Sequence, residues 1–439
     1  MNDVGVAEVP ADKFRPGPRT SLAYVGLDDR FCLYNEYGPY RTLLVPGPPP
    51  RADDRRLAEL WRPGQSGIRP ISVDEHVQGY GVFTFPYGPV AMGTGETGAF
   101  DLTTYGERLL EAVPSVGFKH RRVLDRLVGR TIDEAALWVE RRAGPYALAH
   151  VSAFLAAGES AEGRAVPMRE LTTRALGQEL QRLHAHVRVI ARIAETASQN
   201  VGAAQMQALG EEMLRTIGTV FGHRWGFGGL LPDGPVRQLG PPARRSLADR
   251  LVGWRRRFEA LWASFLESRT FIDRIQGTAT ISPEEAIRFG AVGPALRASG
   301  VAWDDRLRAP SFPYRELFVS LAREERGDAL ARVLVRQEEI RGSLLLLEQL
   351  LDRWDREAAG ATAPGIALGP GHGLARVEAP LGDLVYEVRT NAGRVAAVGV
   401  RTPSDTLWPL LALGLRGGVF TDFGFTVESF AASFAETDG

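Results

Sequence analysis

The sequence predicts an α+β fold that is mainly α, with a central bundle of long helices flanked by small antiparallel β elements from the N- and C-terminal regions. The clearest sign is residues 168–197, where apolar residues recur at helical spacing over about eight turns. Residues 83–110 alternate in places and are interrupted by glycines and prolines, which favours short strands joined by turns. Asn391-Ala392-Gly393 lies between two apolar runs and predicts a hairpin.

The composition is typical of a globular protein with a sizeable core, since 44% of the 439 residues are hydrophobic and 24% are charged. A net charge of -1 gives no bulk attraction to nucleic acid, so no nucleic-acid partner is expected. Cys32 is the single cysteine, which excludes an internal disulfide framework and an iron–sulfur cluster held by this chain alone. No apolar run approaches the ~20 residues of a membrane span. We therefore expect a cytoplasmic protein with no transmembrane segment of its own.

The chain is predicted to divide into an N-terminal extension and one large domain. Residues 1–80 contain many prolines, including a cluster at 46–50, and predict an irregular extension with a short helix near 53–61. The large domain, 81–439, begins with a β region over 81–120. A helical bundle over 121–357 follows, and a C-terminal β/α region over 374–439 completes the domain.

Amphipathic stretches and start signals define the predicted helices. The strongest start is Ser282-Pro283, with a capping serine, a proline at the first helical position and Glu285 three residues after the cap. A Gly- and Pro-rich linker at 364–373 separates the bundle from the last region. The other predicted helices cover residues 121–130, 131–142, 146–157, 168–197, 203–221, 246–268, 328–357 and 405–414.

Short motifs follow one another in a fixed order along residues 80–439. They include Gly88-Pro89 with Glu96, Gly117-Phe118-Lys119-His120, Arg174-x4-Glu179-Leu180-x-Arg182, Gly293-Pro294, Arg326-Gly327-Asp328, Val377-Glu378-Ala379-Pro380 and Arg401-x-Pro403-Ser404. This order resembles the large subunit of [NiFe] hydrogenases, especially the membrane-bound energy-converting group. It also resembles their relative, the hydrogenase-like large subunit of respiratory complex I, the NADH-quinone oxidoreductase. The resemblance implies a large-subunit-like fold over 81–439.

The resemblance also implies where active hydrogenases of this family hold nickel. Their four thiolates come from R-x-C-G-x-C-x3-H and from D-P-C-x2-C-T near the C-terminus, and soft thiolates suit nickel. In this chain the corresponding positions carry Ala143, Tyr146, Ser433 and Glu436. Arg141 and His150 of the first motif are retained. We therefore expect no metal site and no cofactor held by this chain.

In the complex I branch, the resemblance implies a quinone site made of a histidine, an aspartate and a tyrosine. The matching positions carry Thr97, Asn200 and Trp138. Thr97 and Asn200 cannot titrate near neutral pH as a His–Asp pair does, so they cannot supply the protons for quinone reduction at the usual family position. Glu96 matches the hydrogenase branch instead. Quinone and NAD binding are thus implied by the resemblance alone.

We infer a candidate acceptor pocket and three candidate catalytic residues, Tyr146, Glu436 and His150. One interpretation has Tyr146 and Glu436 paired in the old nickel cavity, whereas the alternative leaves Glu436 solvated in a disordered tail. His150 has a purely structural alternative, as a buried histidine without a catalytic role. The candidate pocket residues are Glu96, Thr97, Trp138, Arg141, Ala143, Tyr146, Asn200, Ser433 and Glu436.

Two functional hypotheses remain open from the sequence. In the first, the chain is a nickel-free component of a membrane-associated redox complex, peripheral on the inner face of the cell membrane. It would take electrons from a [4Fe–4S] cluster in a small partner subunit, pass them to a quinone-like acceptor, and contact membrane subunits. In the second, the chain is a non-catalytic scaffold whose old cavity is filled by side chains. The missing thiolates argue against a nickel hydrogenase, and the lack of an H-E-x-x-H-type cluster argues against a metal-dependent hydrolase.

Overall fold

A computed structural model describes residues 6–38, 40–47, 77–90, 96–118, 120–231, 240–308, 313–356 and 369–437. The strands are β1 (Val6–Glu8), β2 (Thr20–Val25), β3 (Phe31–Glu36), β4 (Arg41–Pro46), β5 (Val82–Tyr87), β6 (Ala99–Tyr105), β7 (Arg108–Ser115), β8 (Gly371–Ala379), β9 (Gly382–Asn391) and β10 (Arg394–Arg401). The helices are α1 (Ile132–Val139), α2 (Ala147–Glu162), α3 (Met168–Thr196), α4 (Asn200–Phe221), α5 (Pro241–Glu267), α6 (Arg269–Ile275), α7 (Pro283–Arg288), α8 (Gly293–Ala298), α9 (Asp305–Arg308), α10 (Ala329–Arg356), α11 (Pro403–Leu415), α12 (Phe423–Phe430) and α13 (Phe434–Thr437).

Three small sheets flank the long helices, which confirms the predicted fold class. The first sheet has the order β1-β4-β3-β2, the second β5-β6-β7 and the third β10-β9-β8. All pairings are antiparallel except that of β1 with β4. The predicted hairpin joins β9 to β10, where Ala392 and Gly393 both adopt positive φ values of 49° and 72°, as the tight right-twisted turn requires.

The prediction of an irregular N-terminal extension was wrong for the residues that the structure describes. Residues 6–46 contain β1 to β4. Pro10, Pro16 and Pro18 lie between strands and Pro46 lies at a strand end, where a missing N–H does not interrupt the ladder. The sheet packs on the C-terminal region, with Tyr24 and Leu33 in one apolar cluster with Val385 of β9. The short helix predicted near 53–61 lies outside the described residues.

The predicted helix at 121–130 was also wrong, because only a 3-10 turn forms there, at Leu124–Arg126. Arg122 and Gly129 flank this turn with positive φ values of 53° and 83°, which an α-helix cannot contain. The other predicted helices form, with ends that shift by a few residues. The capping box at Ser282 is present, with Glu285 N–H donating to the serine oxygen at 3.2 Å and the Glu285 carboxylate accepting from Ser282 N–H.

Helix α3 occupies the centre of the bundle, and most of its residues are buried. Helix α2 lies directly on β8, where a Cβ atom at Gly373 would be only 1.9 Å from the carbonyl oxygen of Ala157. Glycine is therefore required for this close approach. Among the described helices, none is long and apolar enough to cross a membrane.

Candidate functional site

Two stretches far apart in the sequence meet beside α3. The first is the turn at Gly144–Tyr146 that leads into α2, and the second is the end of the described chain, α12 and α13. The guanidinium Nη2 of Arg142 donates to the carbonyl oxygen of Glu436 at 2.6 Å. Ala143 and Tyr146 are buried in the first stretch, and Ser433 and Glu436 are buried in the second.

The carboxylate of Glu436 is enclosed by polar partners. Its side chain is 0% exposed, and Ser404 Oγ–H donates to Oε2 at 2.5 Å. The Nε2 atom of His150 lies 3.3 Å from Oε1, and the Nδ1 atom lies 2.9 Å from the hydroxyl of Tyr386. Burial lowers the pKa of His150, although Glu436 opposes this effect. A neutral imidazole that donates from Nε2 to Glu436 and accepts from Tyr386 satisfies all three groups.

The phenol of Tyr146 has a different partner. Arg188 Nη2 of α3 donates to the Tyr146 hydroxyl oxygen at 3.2 Å. Burial raises the pKa of Tyr146 to about 12, so that the phenol keeps its proton at neutral pH. Tyr146 and Glu436 thus lie in the same region, but each is bonded to other groups, and a directly bonded acid–phenol pair does not form. The alternative of a solvated Glu436 is also wrong.

Glu96, in the segment between β5 and β6, connects this region to the N-terminal half of the domain. Its carboxylate accepts from Ser433 Oγ at 3.1 and 3.0 Å and from the Ala435 N–H at 2.9 Å. Close packing at Gly98 supports these bonds, since a Cβ atom there would lie 1.9 Å from the ring of Phe434. The absence of a side chain at Gly98 therefore lets the tail dock beside Glu96.

An open cleft of about 220 Å³ borders this junction. Glu96, Arg188 and Ser433 are among its polar lining residues, and the side chains of Phe423, Val427 and Phe434 add apolar surface. The remaining lining residues are Tyr87, Arg192, Thr196, Gly424, Glu428, Ala431 and Ala432. The geometry therefore offers a half-apolar site, with Arg188 between the cleft and the buried Tyr146.

Comparison with known proteins places the chain in a family. Residues 203–370 match the model of the family described as "Respiratory-chain NADH dehydrogenase, 49 Kd subunit". The chain is 31% identical over 300 residues to NADH-quinone oxidoreductase subunit 4 of Thermus thermophilus. The aligned region covers 66% of this chain and 71% of that protein. The chain belongs to the 49 kDa subunit family of respiratory NADH dehydrogenase.

Relatives with hydrogenase names are similar to this member of the 49 kDa family over comparable lengths. The membrane-bound hydrogenase subunit alpha of Pyrococcus furiosus is 28% identical over 371 residues, which covers 80% of this chain and 86% of that protein. A chain in the solved structure of the membrane-bound sulfane sulfur reductase, an archaeal respiratory membrane complex, has a TM-score of 0.77 at 25% identity. The structural match covers 83% of this chain and 100% of the solved chain. The family resemblance inferred from the motifs is confirmed.

The structure brings together only part of the pocket predicted for this 49 kDa family member. Glu96 and Ser433 line the cleft, while Ala143, Tyr146 and Glu436 lie buried behind it. Thr97 is half-buried next to Glu96 but is not among the described residues that line the cleft. These positions nevertheless belong to one region of the molecule.

Three predicted pocket residues lie away from the cleft. The ring of Trp138 is half-buried, and the guanidinium groups of Arg126 and Arg130 lie 5.1 and 5.2 Å from the ring centre. Arg141 is exposed and contacts the ring of Phe227, and Asn200 is exposed at the first turn of α4. Whether these residues take part in acceptor binding stays a prediction.

The side chains at the four positions that the resemblance matches to nickel ligands do not fit a nickel centre. Ala143 has no donor atom, the Tyr146 oxygen accepts from Arg188, and the Glu436 carboxylate accepts from Ser404. Within the described parts of the chain there is no group of three or more His, Cys, Asp or Glu that could hold a metal ion. The four positions therefore lack the soft ligand set that nickel requires.

Arg188, Arg142 and Tyr386 were missed by sequence reasoning, although they shape the site. A signal existed for Arg188, since His184, Arg188 and Arg192 follow at intervals of four residues and so share one face of α3. Such a polar stripe on a buried helix marks a face that meets something other than apolar core. Arg142 and Tyr386 gave no comparable signal, because only the folded chain shows what they contact.

Proposed function

We propose that this chain is a subunit of a membrane-associated respiratory redox complex, peripheral on the inner face of the cell membrane. In this proposal a small partner subunit carrying a [4Fe–4S] cluster supplies electrons, and the chain binds their acceptor. The names of the relatives support the assignment to such a complex, since they include membrane-bound hydrogenase and NADH-quinone oxidoreductase subunits. The family membership and the lack of fitting nickel ligands support an acceptor other than protons at a metal.

One observation carries the acceptor role, namely the open cleft beside the old nickel positions. It combines apolar surface from Phe423 and Val427 with the Arg188 guanidinium. This combination suits a ring that bears a hydrogen-bond acceptor, as a quinone does. Reduction of a quinone to a quinol takes two electrons and two protons, so the site would also need proton donors.

Proton supply in this proposal would involve the residues behind and beside the cleft. Tyr146 keeps its proton because burial raises its pKa to about 12, and it is bonded to Arg188, which lines the cleft. Glu96 also lines the cleft and accepts from Ser433. These groups would replace the His–Asp pair, whose positions carry Thr97 and Asn200.

A second candidate function is that of a non-catalytic scaffold. It is favoured by the packed junction behind the cleft, where Tyr146 and Glu436 are at most 1% exposed. Their polar atoms are already bonded to Arg188 and to Ser404. The old cavity is thus closed, and an acceptor site must use the neighbouring cleft.

Purification of the native complex through a tag on this chain tests the proposal. We expect an iron–sulfur-containing small subunit to co-purify. We also expect the dithionite-reduced complex to pass electrons to at least one of two soluble quinones, neutral menadione and an anionic naphthoquinone sulfonate. The Arg188→Leu variant should lower this rate by about tenfold or more because it removes the donor from the cleft. Arg215→Leu, on the exposed face of α4, is the matched control. A complex whose reduced cluster transfers no electrons to quinones would contradict the acceptor role and favour the scaffold.

A further inference from the structure

The two arginines that line the cleft differ in how their charge is balanced. Arg192 donates to Glu428 Oε1 from Nη2 at 2.9 Å and from Nε at 3.1 Å, and to Glu195 at 2.9 Å from Nη1. Arg188 donates to the neutral phenol of Tyr146 instead. Its Nε atom is buried without a hydrogen-bond partner, and no described carboxylate forms an ion pair within 4.0 Å of the guanidinium. Glu428 and Glu96 interact with Arg188 electrostatically from a longer distance.

Several other buried arginines of the described residues donate directly to carboxylates, which balance their positive charge. Arg174 donates to Glu159 at 2.7 and 2.6 Å, and Arg376 donates to Asp383 at 3.0 and 2.7 Å. Arg297 is bonded to Glu339 at 2.6 Å and to Glu378 at 2.8 Å. Because an unpaired buried charge is costly, the lack of such a partner at Arg188 needs an explanation.

Further unpaired guanidinium nitrogens lie around the same junction. Arg142 donates from Nη2 to the Glu436 carbonyl, but its Nε and Nη1 atoms are buried without partners. Arg336 of α10 donates to the carbonyl of Arg332 at 2.9 Å, and its Nε is likewise buried and unpartnered. Arg336 also interacts electrostatically with Tyr146. Buried guanidinium nitrogens without hydrogen-bond partners therefore occur on Arg142 and Arg336 as well as on Arg188.

The other charged groups of the cleft are already engaged. Glu428 is bonded to Arg192, and Glu96 accepts from Ser433 and from the backbone at Ala435. Glu96 opposes a bound anion, because both of its donors are neutral. The free hydrogen-bonding capacity of the cleft thus consists mainly of a cationic donor next to apolar side chains.

We infer that the cleft binds an organic anion with an apolar ring, and that Arg188 is the residue that recognises the anionic group. The ring would contact Phe423 and Val427, and the anionic oxygens would accept from the guanidinium of Arg188. This inference names the chemical class of the ligand at the cleft on which the proposed function rests. It favours an acceptor that carries a negative charge over a neutral one.

A pair of probes that cannot accept electrons separates binding from electron transfer. Naphthalene-2-carboxylate and naphthalene-2-carboxamide share one ring system and differ in charge. We expect the full-length chain to bind the carboxylate at least about tenfold more tightly in isothermal titration calorimetry, as a charge-assisted bond predicts. The difference should shrink as salt is added, because salt screens partly exposed charges.

Variants identify the recognising residue. Arg188→Gln should reduce the carboxylate preference to within about twofold, and Arg188→Lys should keep most of it because the charge remains. The matched variant Arg192→Gln should change the preference by less than about twofold, since that guanidinium already has two carboxylate partners. Circular dichroism and thermal melting of each variant show that it is folded.

Equal binding of both probes by the wild-type chain would overturn the inference, as would a preference that survives in Arg188→Gln. A preference that disappears in Arg188→Lys as well as in Arg188→Gln would show that charge is not what the site recognises. These outcomes are independent of the proposed function, because the probes test binding alone. A chain that prefers the carboxylate inside a complex that reduces no quinone would support the anion site and contradict the electron-acceptor role.

Discussion

The His150 imidazole lies 3.3 Å from the Glu436 carboxylate and joins the start of α2 to α13, 286 residues later in the chain. Neither residue reaches solvent, and the contact continues to Ser404 and Tyr386. A glutamate at a position that the resemblance matches to a nickel ligand is thus the acceptor of a buried hydrogen-bond network. The network closes the old cavity and leaves the cleft at Arg188 as the accessible part of the region.

Removal of the Glu436 carboxylate should destabilise the fold. Glu436→Leu leaves the Ser404 hydroxyl and the His150 N–H without their acceptor, and the expected loss in free energy of unfolding is about 2–4 kcal/mol. Glu436→Gln keeps one acceptor oxygen and should cost about 1 kcal/mol. Urea unfolding measures both values. Glu338→Leu, at an exposed position, serves as the control and should change the free energy of unfolding only slightly. If Glu436→Leu has an effect as small as that of the control, the network does not stabilise the fold.

Docking of the tail should depend on the missing side chain at Gly98. In Gly98→Ala the new Cβ would overlap the ring of Phe434, and we expect about 1–3 kcal/mol of destabilisation together with faster proteolysis near the C-terminus. Gly253→Ala is the matched control, because a Cβ there meets no atom within 4 Å and alanine favours the helix. If both variants resist protease like the wild type, the close contact between Gly98 and the tail is not important for docking.

Acid should destabilise the protein through His184, which is buried in α3 against the ring of Trp225. Burial lowers the pKa of His184 from 6.5 to about 3, so the unfolded chain takes up the proton first as the pH falls. The contribution of neutral His184 to the free energy of unfolding is thus fully present above pH 6.5, and it is lost as the pH falls from 6.5 to about 3. His184→Gln removes this contribution, and urea unfolding at pH 7, 6 and 5 should show a shallower loss, by up to about 1.4 kcal/mol per pH unit. An unchanged slope in the variant would refute the assignment to His184.

The purified chain should not contain stoichiometric nickel when it is expressed with nickel in the medium. Metal analysis by mass spectrometry checks this expectation. Its matched comparison is a variant in which cysteine replaces Ala143, Tyr146, Ser433 and Glu436, since four thiolates restore the soft ligand set that nickel requires. Wild-type protein that holds one nickel per chain would disprove the inference drawn from the replaced cysteines.

Sequence patterns predicted the long helices because their signal is local. The stripe over 168–197 became α3, and the capping residues at Ser282 became a helix start, since periodicity and caps act within a few turns of one helix. The N-terminal sheet was not predicted, because its short strands depend on pairing with one another and on packing against Val385 of β9, which is distant in the sequence. Contacts between residues so far apart in the sequence produce no clear pattern within any ten consecutive residues.

The sequence by itself determined the family and the mainly helical fold, because both depend only on which residues occur and at what spacing. Only the tertiary structure decided that Glu436 binds Ser404 and lies beside His150, and that Tyr146 binds Arg188. It also decided that the open space lies at Arg188 and not at the old nickel positions. The physical reason is that hydrogen bonding and burial depend on side chains that come together only when α2, α3 and the tail pack against one another.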